Sequence, residues 1–415
     1  MAQAIQVRLD PHYESDTPAA ANARAVGARL PGEVRLAIYE DMAAVEPLWR
    51  AFERQADGTV FQSYQWLAAW QRHVGARQEV RPAIVIAQDA SGAPLALFAL
   101  AVRRARFARE LIWLGSELCD YNGPLLAPGF AERVDGSRFR TLWDDIERAL
   151  QAHPRLGYDL INLSKMPERV GAQADPMLHL PVTVNPSGAY RTKLGADWES
   201  FYAAKRSSAT RRRDRTKRKR LSDLGTVVFV TPDGGDAVLD ALDTLMAQKA
   251  RSFARMGVGN LFALPGYAEF YRSLAADPAT RPLVHISRLD VGATPAAVNL
   301  GLIYRGCYYY LLASYDDGEA ARFGPGAAHL HEIMRYAIER GCAEFDFTIG
   351  DEGYKRDWCD SELVLYDHIA AASWRGALVA MPLLALQRLK RRIKRTPALW
   401  SLASKARALA GALKR

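Results

Sequence analysis

Residues 34–163 and 227–349 carry the same succession of apolar and polar patterns. In the first half, 34–39 alternates like a short strand, and 43–55 places Val45, Leu48, Trp49 and Phe52 on one helical face. A second helix over 63–74 starts from Ser63 as N-cap and buries Trp66, Leu67 and Trp70. Strands at 83–87, 95–102 and 111–114 follow, the first two joined by Asp89-Ala90-Ser91-Gly92, then a helix over 137–152 and a strand over 158–163. The second half repeats this order: a strand at 227–230, helices over 237–256 and 266–275, strands at 283–289, 296–304 and 307–315, a helix over 327–340 and a strand at 343–349. Gly157 precedes Asn162 by five residues, as Gly341 precedes Asp346 in the second closing strand. We read two copies of one mixed α/β unit.

The end of the second copy is the most specific stretch. An aromatic run over 307–315 reads as a buried strand, and a polar loop then ends in Gly324-Pro325-Gly326. Ala327, Leu330, Met334, Ala337 and Ile338 follow at helical spacing, with Gly341 as the C′ residue. In Phe345-Asp346-Phe347-Thr348-Ile349 the alternation sends the aromatics to one face and Asp346 and Thr348 to the other. Glycines entering a helix expose backbone N–H groups at the positive end of its dipole, which suits a pyrophosphate; taken alone, the same tripeptide is also a tight turn.

Phe323-Gly324-Pro325-Gly326, Gly341, Phe345-Asp346-Phe347, Gly350-Asp351-Glu352 and Tyr354-Lys355-Arg356-Asp357-Trp358 together resemble the GNAT acyltransferase superfamily. Within it they are similar to the CelD-like or FemAB-like group, linked to polysaccharide and cell-envelope biosynthesis. In GNAT proteins this loop cradles the pyrophosphate of coenzyme A on a Q/R-x-x-G-x-G/A pattern. Gly324 and Gly326 fit the G-x-G, Ala321 stands where Gln or Arg is expected, and Arg322 is displaced by one. The resemblance implies an α/β fold of tandem GNAT-like domains, each a mixed, mostly antiparallel sheet flanked by helices. With the repeat, it divides the chain into a flexible tail (1–32), domains over 33–190 and 191–369, and a basic amphipathic tail (370–415). It further implies acetyl-CoA or another acyl-CoA as co-substrate and no metal, with Leu311, Ala313, Arg322, Phe323, Gly324, Gly326 and Ala327 at the cofactor. The first half has no Gly-x-Gly; its loop over 115–124, similar to one in CelD-like proteins, either lines an acceptor cleft between the domains through Asp120 and Tyr121 or is structural.

Composition narrows the setting. The 415 residues are 49% hydrophobic and 24% charged, a globular balance for two domains. Cys119, Cys307, Cys342 and Cys359 are widely spaced, unlike a disulfide framework or a zinc pattern, and the N-terminus has no continuous apolar core of a signal peptide. The net charge of +9 is concentrated in two places. Ten Lys and Arg between Lys205 and Arg220, Arg211 and Arg212 among them, face the single acid Asp214 within a helix expected over 199–221. That helix is either a solvated charged face or a site for the phosphates of a lipid-linked sugar, of coenzyme A or of RNA; no aromatics are interleaved for base stacking. The tail over 370–415 is basic, acid-free and studded with Leu, Met and Trp, the composition of an interfacial helix on an anionic membrane.

Acyl transfer needs a base for the acceptor, a donor for the oxyanion and an acid for the departing thiolate. The resemblance places the oxyanion donor in the backbone over 311–314. Asp346 is the first candidate base or acceptor anchor, with Asp351 and Glu352 as rivals; Tyr354 is the candidate acid, and Lys355 the holder of an anionic part of the substrate. Each also has a structural reading, Asp346 as a satisfied carboxylate and Lys355 as a surface charge. His329 and His331, two apart on a helix, point away from each other and do not share a metal. The leading expectation is an acyl-CoA-dependent acyltransferase acting on an amine or hydroxyl of a sugar, polysaccharide or envelope precursor, cytoplasmic and peripheral on the inner membrane face. The alternatives are an aminoacyl-tRNA-dependent transferase of the FemAB type, with tRNA on the basic helix, and a non-catalytic member of a polysaccharide synthesis complex.

Overall fold

The computed structural model describes residues 34–105 and 107–396, so the N-terminal tail and the end of the C-terminal one lie outside the described residues. Two compact units divide the chain, residues 1–186 with 364–391 and residues 187–363 with 392–415. Each is an α/β unit with a mixed sheet.

In the first unit the pattern from residue 34 becomes strand β1 (Arg35–Tyr39), helices α1 (Met42–Glu53) and α2 (Tyr64–Trp70), strands β2 (Arg81–Gln88), β3 (Pro94–Arg104) and β4 (Arg109–Trp113), helix α3 (Gly136–Ala152) and strand β5 (Leu160–Pro167). Ser63 caps α2 by accepting from Trp66 N–H, and Asp135 caps α3 by accepting from Ser137 and Arg138 N–H. The sheet runs β1-β2-β3-β4-β5 and continues through Leu365–Ala371 and Thr183–Val184, with Leu125–Leu126 beside β3. All neighbours are antiparallel except β4 and β5. Under α3 the core is aromatic: Phe98 meets Phe139 and Trp143 at ring separations of 6.4 and 6.1 Å. Each such buried ring contributes on the order of 2–3 kcal/mol.

The second unit holds strand β6 (Ala189–Lys193), helices α4 (Trp198–Lys205) and α5 (Ser208–Ser222), strand β7 (Val227–Val230), helices α6 (Gly235–Met256) and α7 (Tyr267–Ala276), strands β8 (Val284–Val291), β9 (Thr294–Tyr304) and β10 (Cys307–Tyr315), helix α8 (Pro325–Glu339) and strand β11 (Glu344–Ile349). Its sheet order, β7-β8-β9-β10-β11-β6 and then Ser361–Leu363, matches the first, down to the parallel fourth and fifth strands. Pro325 opens α8; Gly341, at φ 74°, closes it, with Cys342 N–H donating to Ala337 O at 2.9 Å. Phe345, Phe347, Tyr308 and Tyr310 pack with Ile333 and Met334 of α8 into one core cluster.

The basic stretch, expected as one helix, is two. Ser207 takes an extended conformation and caps α5 by accepting from Thr210 N–H, which breaks the run after Lys205. Three of its charges are met by acids from other elements: Arg218 pairs with Glu332, Arg206 with Asp357 at 2.9 Å and Lys205 with Asp360 at 2.5 Å.

Candidate functional site

Strands β10 and β11 pair only over Cys307, Tyr308 and Tyr309 against Glu344, Phe345 and Asp346. Beyond Tyr310 the two part, and β10 has no strand partner on that side among the described residues. On its other side the register with β9 jumps from Gly301↔Tyr310 to Leu300↔Leu312, so Leu311 is a bulge. The bulge exchanges the faces of β10. Tyr308 and Tyr310 join the core under α8, and past the bulge Ala313 takes that side while Ser314 donates to Gln248 Oε1 on α6 at 2.8 Å. Leu311 and Ala313, expected at the cofactor, therefore lie where the strands diverge.

The loop after β10 ends at the start of α8. Gly324 is its N-cap residue with φ 69° and ψ 57°, a left-handed conformation that costs an L-residue about 1–2 kcal/mol. Ala327 and Ala328 N–H both donate to Gly324 O at 3.1 and 3.2 Å, and Pro325 has no N–H, which leaves the Gly326 N–H at the helix mouth. The fold itself does not require glycine at 326: its φ is not left-handed, and an added Cβ would meet the Tyr315 ring at 3.6 Å, an ordinary contact. Its bare Cα is thus open to a ligand. Lys217 Nζ from α5 lies 3.9 Å from where a Cβ on Gly324 would stand. Arg322 points away, donating to Glu319 at 2.9 Å and covering the Phe323 ring at 4.8 Å. A cavity of about 330 Å³ opens beside this helix start, lined among others by Trp198, Tyr202, Lys217, Arg218, Gly324 and His331. Burial holds His331 below its usual pKa. On α5, Arg211 is half-buried and Arg212 exposed. A diverging strand pair, two bare glycines at a helix mouth and a lysine against them fit the pantetheine arm and pyrophosphate of an acyl-CoA.

Within β11, at the last residue paired with β10, Asp346 is fully buried. Arg191 Nε and Nη2 both reach its Oδ2 at 3.0 Å, and Thr348 N–H donates to its Oδ1 at 2.8 Å. Arg191 also reaches Glu344 at 3.1 Å. Thr348 sits at φ 58°, a rare conformation for a β-branched residue, where the register with β6 shifts between Arg191↔Asp346 and Ala189↔Ile349. Asp351 then accepts from Gly188 N–H at 3.3 Å. Buried Lys355 donates to Ile349 O at 3.0 Å and to Glu352 at 2.9 Å. Tyr354 lies edge-on to Phe347 at 6.2 Å, and desolvation keeps its hydroxyl protonated well above the usual range.

Sequence reasoning missed Lys249. Its pKa is lowered, mainly by burial, with the Glu352 charge opposing and the Lys355 charge adding to the shift. The signal was available: Leu242, Leu245, Met246 and Lys249 fall at 0, 3, 4 and 7 along α6, which puts the lysine on the helix's buried stripe.

Asp120 and Tyr121 belong to the first unit. Tyr121 is buried edge-on to Phe61 at 5.8 Å with its carbonyl accepting from Gln62 at 2.9 Å. Lys165 ties their loop down through Cys119 O at 2.8 Å and Glu117 O at 3.1 Å. His329 donates to or accepts from Ser287 at 3.0 Å, whereas His331 packs against Trp198 at 5.8 Å, so the two histidines diverge. Among the described residues no group of three or more His, Cys, Asp or Glu is placed to hold a metal.

Residues 208–356 match the family described as an acetyltransferase (GNAT) domain. The chain thus carries an acyltransferase domain, and the diverging strands and glycine loop fall inside the matched region. Among solved structures it is similar to FemX, at 11% identity over 82% of this chain and 97% of that one, with a TM-score of 0.54. It is also similar to a conserved protein of unknown function from Bacteroides thetaiotaomicron, at 13% identity over 80% and 98%, with a TM-score of 0.50. Likeness at this level establishes a GNAT-like fold. No curated protein matches.

Proposed function

We propose that the protein transfers an acetyl or longer acyl group from coenzyme A to an amine or hydroxyl of a sugar, polysaccharide or other cell-envelope precursor. The observation that carries this reading is the coincidence, in one unit, of a bulged and diverging strand with a helix mouth whose Gly326 the fold does not itself demand. The donor's pyrophosphate lies on Gly326 N–H with Lys217 beside it, and its thioester between β10 and β11. As the acceptor attacks the thioester carbon, the carbonyl oxygen gains charge and is held by backbone N–H of residues 311–314. The C–S bond then breaks, and Tyr354 is the candidate acid for the leaving thiolate, which takes up the proton released by the acceptor.

Asp346 is assigned to holding Arg191 and the backbone at Thr348, because its oxygens are already taken by donors. Asp351 remains the candidate base. Lys355 is assigned to holding an anionic part of the acceptor, a carboxylate or phosphate. Envelope chemistry would put the enzyme at the inner face of a membrane. Both GNAT-like units share one ancestry in this reading, with only the second binding donor. The test is calorimetric titration of the full chain with acetyl-CoA, longer acyl-CoAs and aminoacyl-tRNA. Micromolar acyl-CoA affinity without tRNA binding is expected; tRNA binding with no affinity for any acyl-CoA would overturn the proposal in favour of an aminoacyl donor.

A further inference from the structure

The helix Trp374–Arg395 is apolar on two opposite faces. One face lies against the first unit: Gly376 and Ala380 are buried, and Gln387 donates to Asp367 at 3.0 Å. Its start is fixed, since Ser373 donates to Asp159 at 2.8 Å and a Cβ on Gly376 would fall 1.7 Å from Asp159 O. On the other face Trp374, Leu378, Met381 and Leu389 follow at 0, 4, 7 and 15, and the first three are 70%, 68% and 72% exposed. No acid occurs from residue 370 to the end of the sequence, and Arg388, Lys390, Arg391 and Arg392 lie in the later turns of the helix.

At the N-terminal end of this helix the first unit has a cavity of about 890 Å³. Six arginines line it against two acids, Glu79 and Asp159. Arg103 and Arg155 are engaged with Glu110 and Glu40 at 2.8 and 2.7 Å; Arg81, Arg104, Arg109 and Arg375 complete the set. Phe107, on the cavity rim, is 71% exposed. Such an excess of guanidinium groups repels itself unless anions approach, and Arg matches phosphate oxygens in pairs.

We propose that the outward face of this helix and the arginine-lined cavity at its start form a docking surface for an anionic phospholipid bilayer, with the helix lying in the interface and the cavity taking a lipid phosphate. Charge complementarity selects this occupant. An exposed apolar stripe wants an apolar neighbour, and a cationic, acid-free flank wants an anionic one; a leaflet of acidic phospholipid offers both, with Trp374 and Phe107 at the depth where aromatic rings settle. Among the described residues no helix is long and apolar enough to cross a membrane, so the contact is one of lying on it. This surface belongs to the first unit and does not depend on the acyl-transfer reading.

The experiment is co-sedimentation of the full chain with sucrose-loaded vesicles of phosphatidylcholine alone or with about a third phosphatidylglycerol. The wild type is expected on the anionic vesicles only and to be released at about 0.5 M salt. Leu378→Gln/Met381→Gln and Arg104→Ala/Arg375→Ala, all surface changes, should each weaken binding at least tenfold with unchanged melting temperature. Absence of wild-type binding, equal binding to neutral vesicles, or full binding by the apolar double variant through residues outside this surface would each overturn the proposal. So would a dimer that Leu378→Gln/Met381→Gln dissociates without any vesicle binding, which would make a second copy the occupant.

Discussion

The two glycines at the mouth of α8 should respond in opposite ways to the same added methyl group. Gly324→Ala forces an L-residue into φ 69°, ψ 57°, at a cost of about 1–2 kcal/mol. For a unit of this size each kcal/mol lowers the melting temperature by roughly 2–4 °C, so a drop of a few degrees is expected. Gly326→Ala adds a methyl that finds only the Tyr315 ring at 3.6 Å, in a backbone any residue adopts. Alanine is the better helix former by up to about 1 kcal/mol in a helix interior and by less in a first turn, so this variant should melt at or slightly above the wild type. Its effect on donor binding is the reverse. A methyl at 326 holds a pyrophosphate off the N–H groups, and losing one charge-assisted hydrogen bond costs about 1.5–3 kcal/mol, or roughly tenfold to more than a hundredfold in affinity. Calorimetric melting and acetyl-CoA titration of both variants read the two effects separately. Wild-type affinity in Gly326→Ala would refute the placement of the donor, and a lowered melting temperature there would show that the fold, not a ligand, requires that glycine.

Asp346→Asn removes the buried charge facing Arg191 and should destabilise the second unit by about 2–4 kcal/mol, discounted from a fully buried pair because Arg191 is one-third exposed and keeps Glu344. A double-mutant cycle with Arg191→Met should recover part of that loss; wild-type melting with lost turnover would instead make Asp346 the base. Burial pushes His285 and His329 down to about 3, so both are neutral in the fold and take up protons on unfolding below their ordinary pKa. Stability contributed by their neutral state is therefore present above about pH 6.5 and lost as pH falls towards 3, by up to about tenfold in the folding constant per pH unit per histidine. His329→Asn should flatten that slope in an acid titration of melting, and an unchanged slope would contradict it. Thr348→Gly should raise stability by about 1 kcal/mol by relieving φ 58°, whereas Thr348→Val, equally branched, should not; equal melting of the two would show that the strain is absent.

The apolar periodicity carried most of the fold. Strands β7 and β10 lie at the bounds their pattern indicates, and Gly341 ends α8 as its C′ residue, because local signals decide these elements. Strands β6 and Leu365–Ala371 escaped reading: in Ala-Tyr-Arg-Thr-Lys and Leu-Tyr-Asp-His-Ile the polar residues that look like loop are paired across the sheet, Arg191 with Asp346 and Asp367 with Asn185 and Lys165. The glycine loop was legible because its chemistry is contiguous in sequence. The Leu311 bulge was not, since it is a relation between two strands, and Lys249 was not sought because the charges that act on it, Glu352 and Lys355, lie about a hundred residues away.

Each sheet draws the strand beyond its parallel pair from outside its own run of elements, and for the first unit that strand is Leu365–Ala371, seated on β5. During synthesis β5 is finished while its neighbour is still about 200 residues from being made, a wait of ten to forty seconds at roughly 5–20 residues per second. Over that interval a strand of Leu, Ile and Asn offers an unpaired edge to any other nascent chain. The first unit is thus obliged to close last, and a ribosome that stalls anywhere between the two strands leaves behind a sheet with an open, adhesive border.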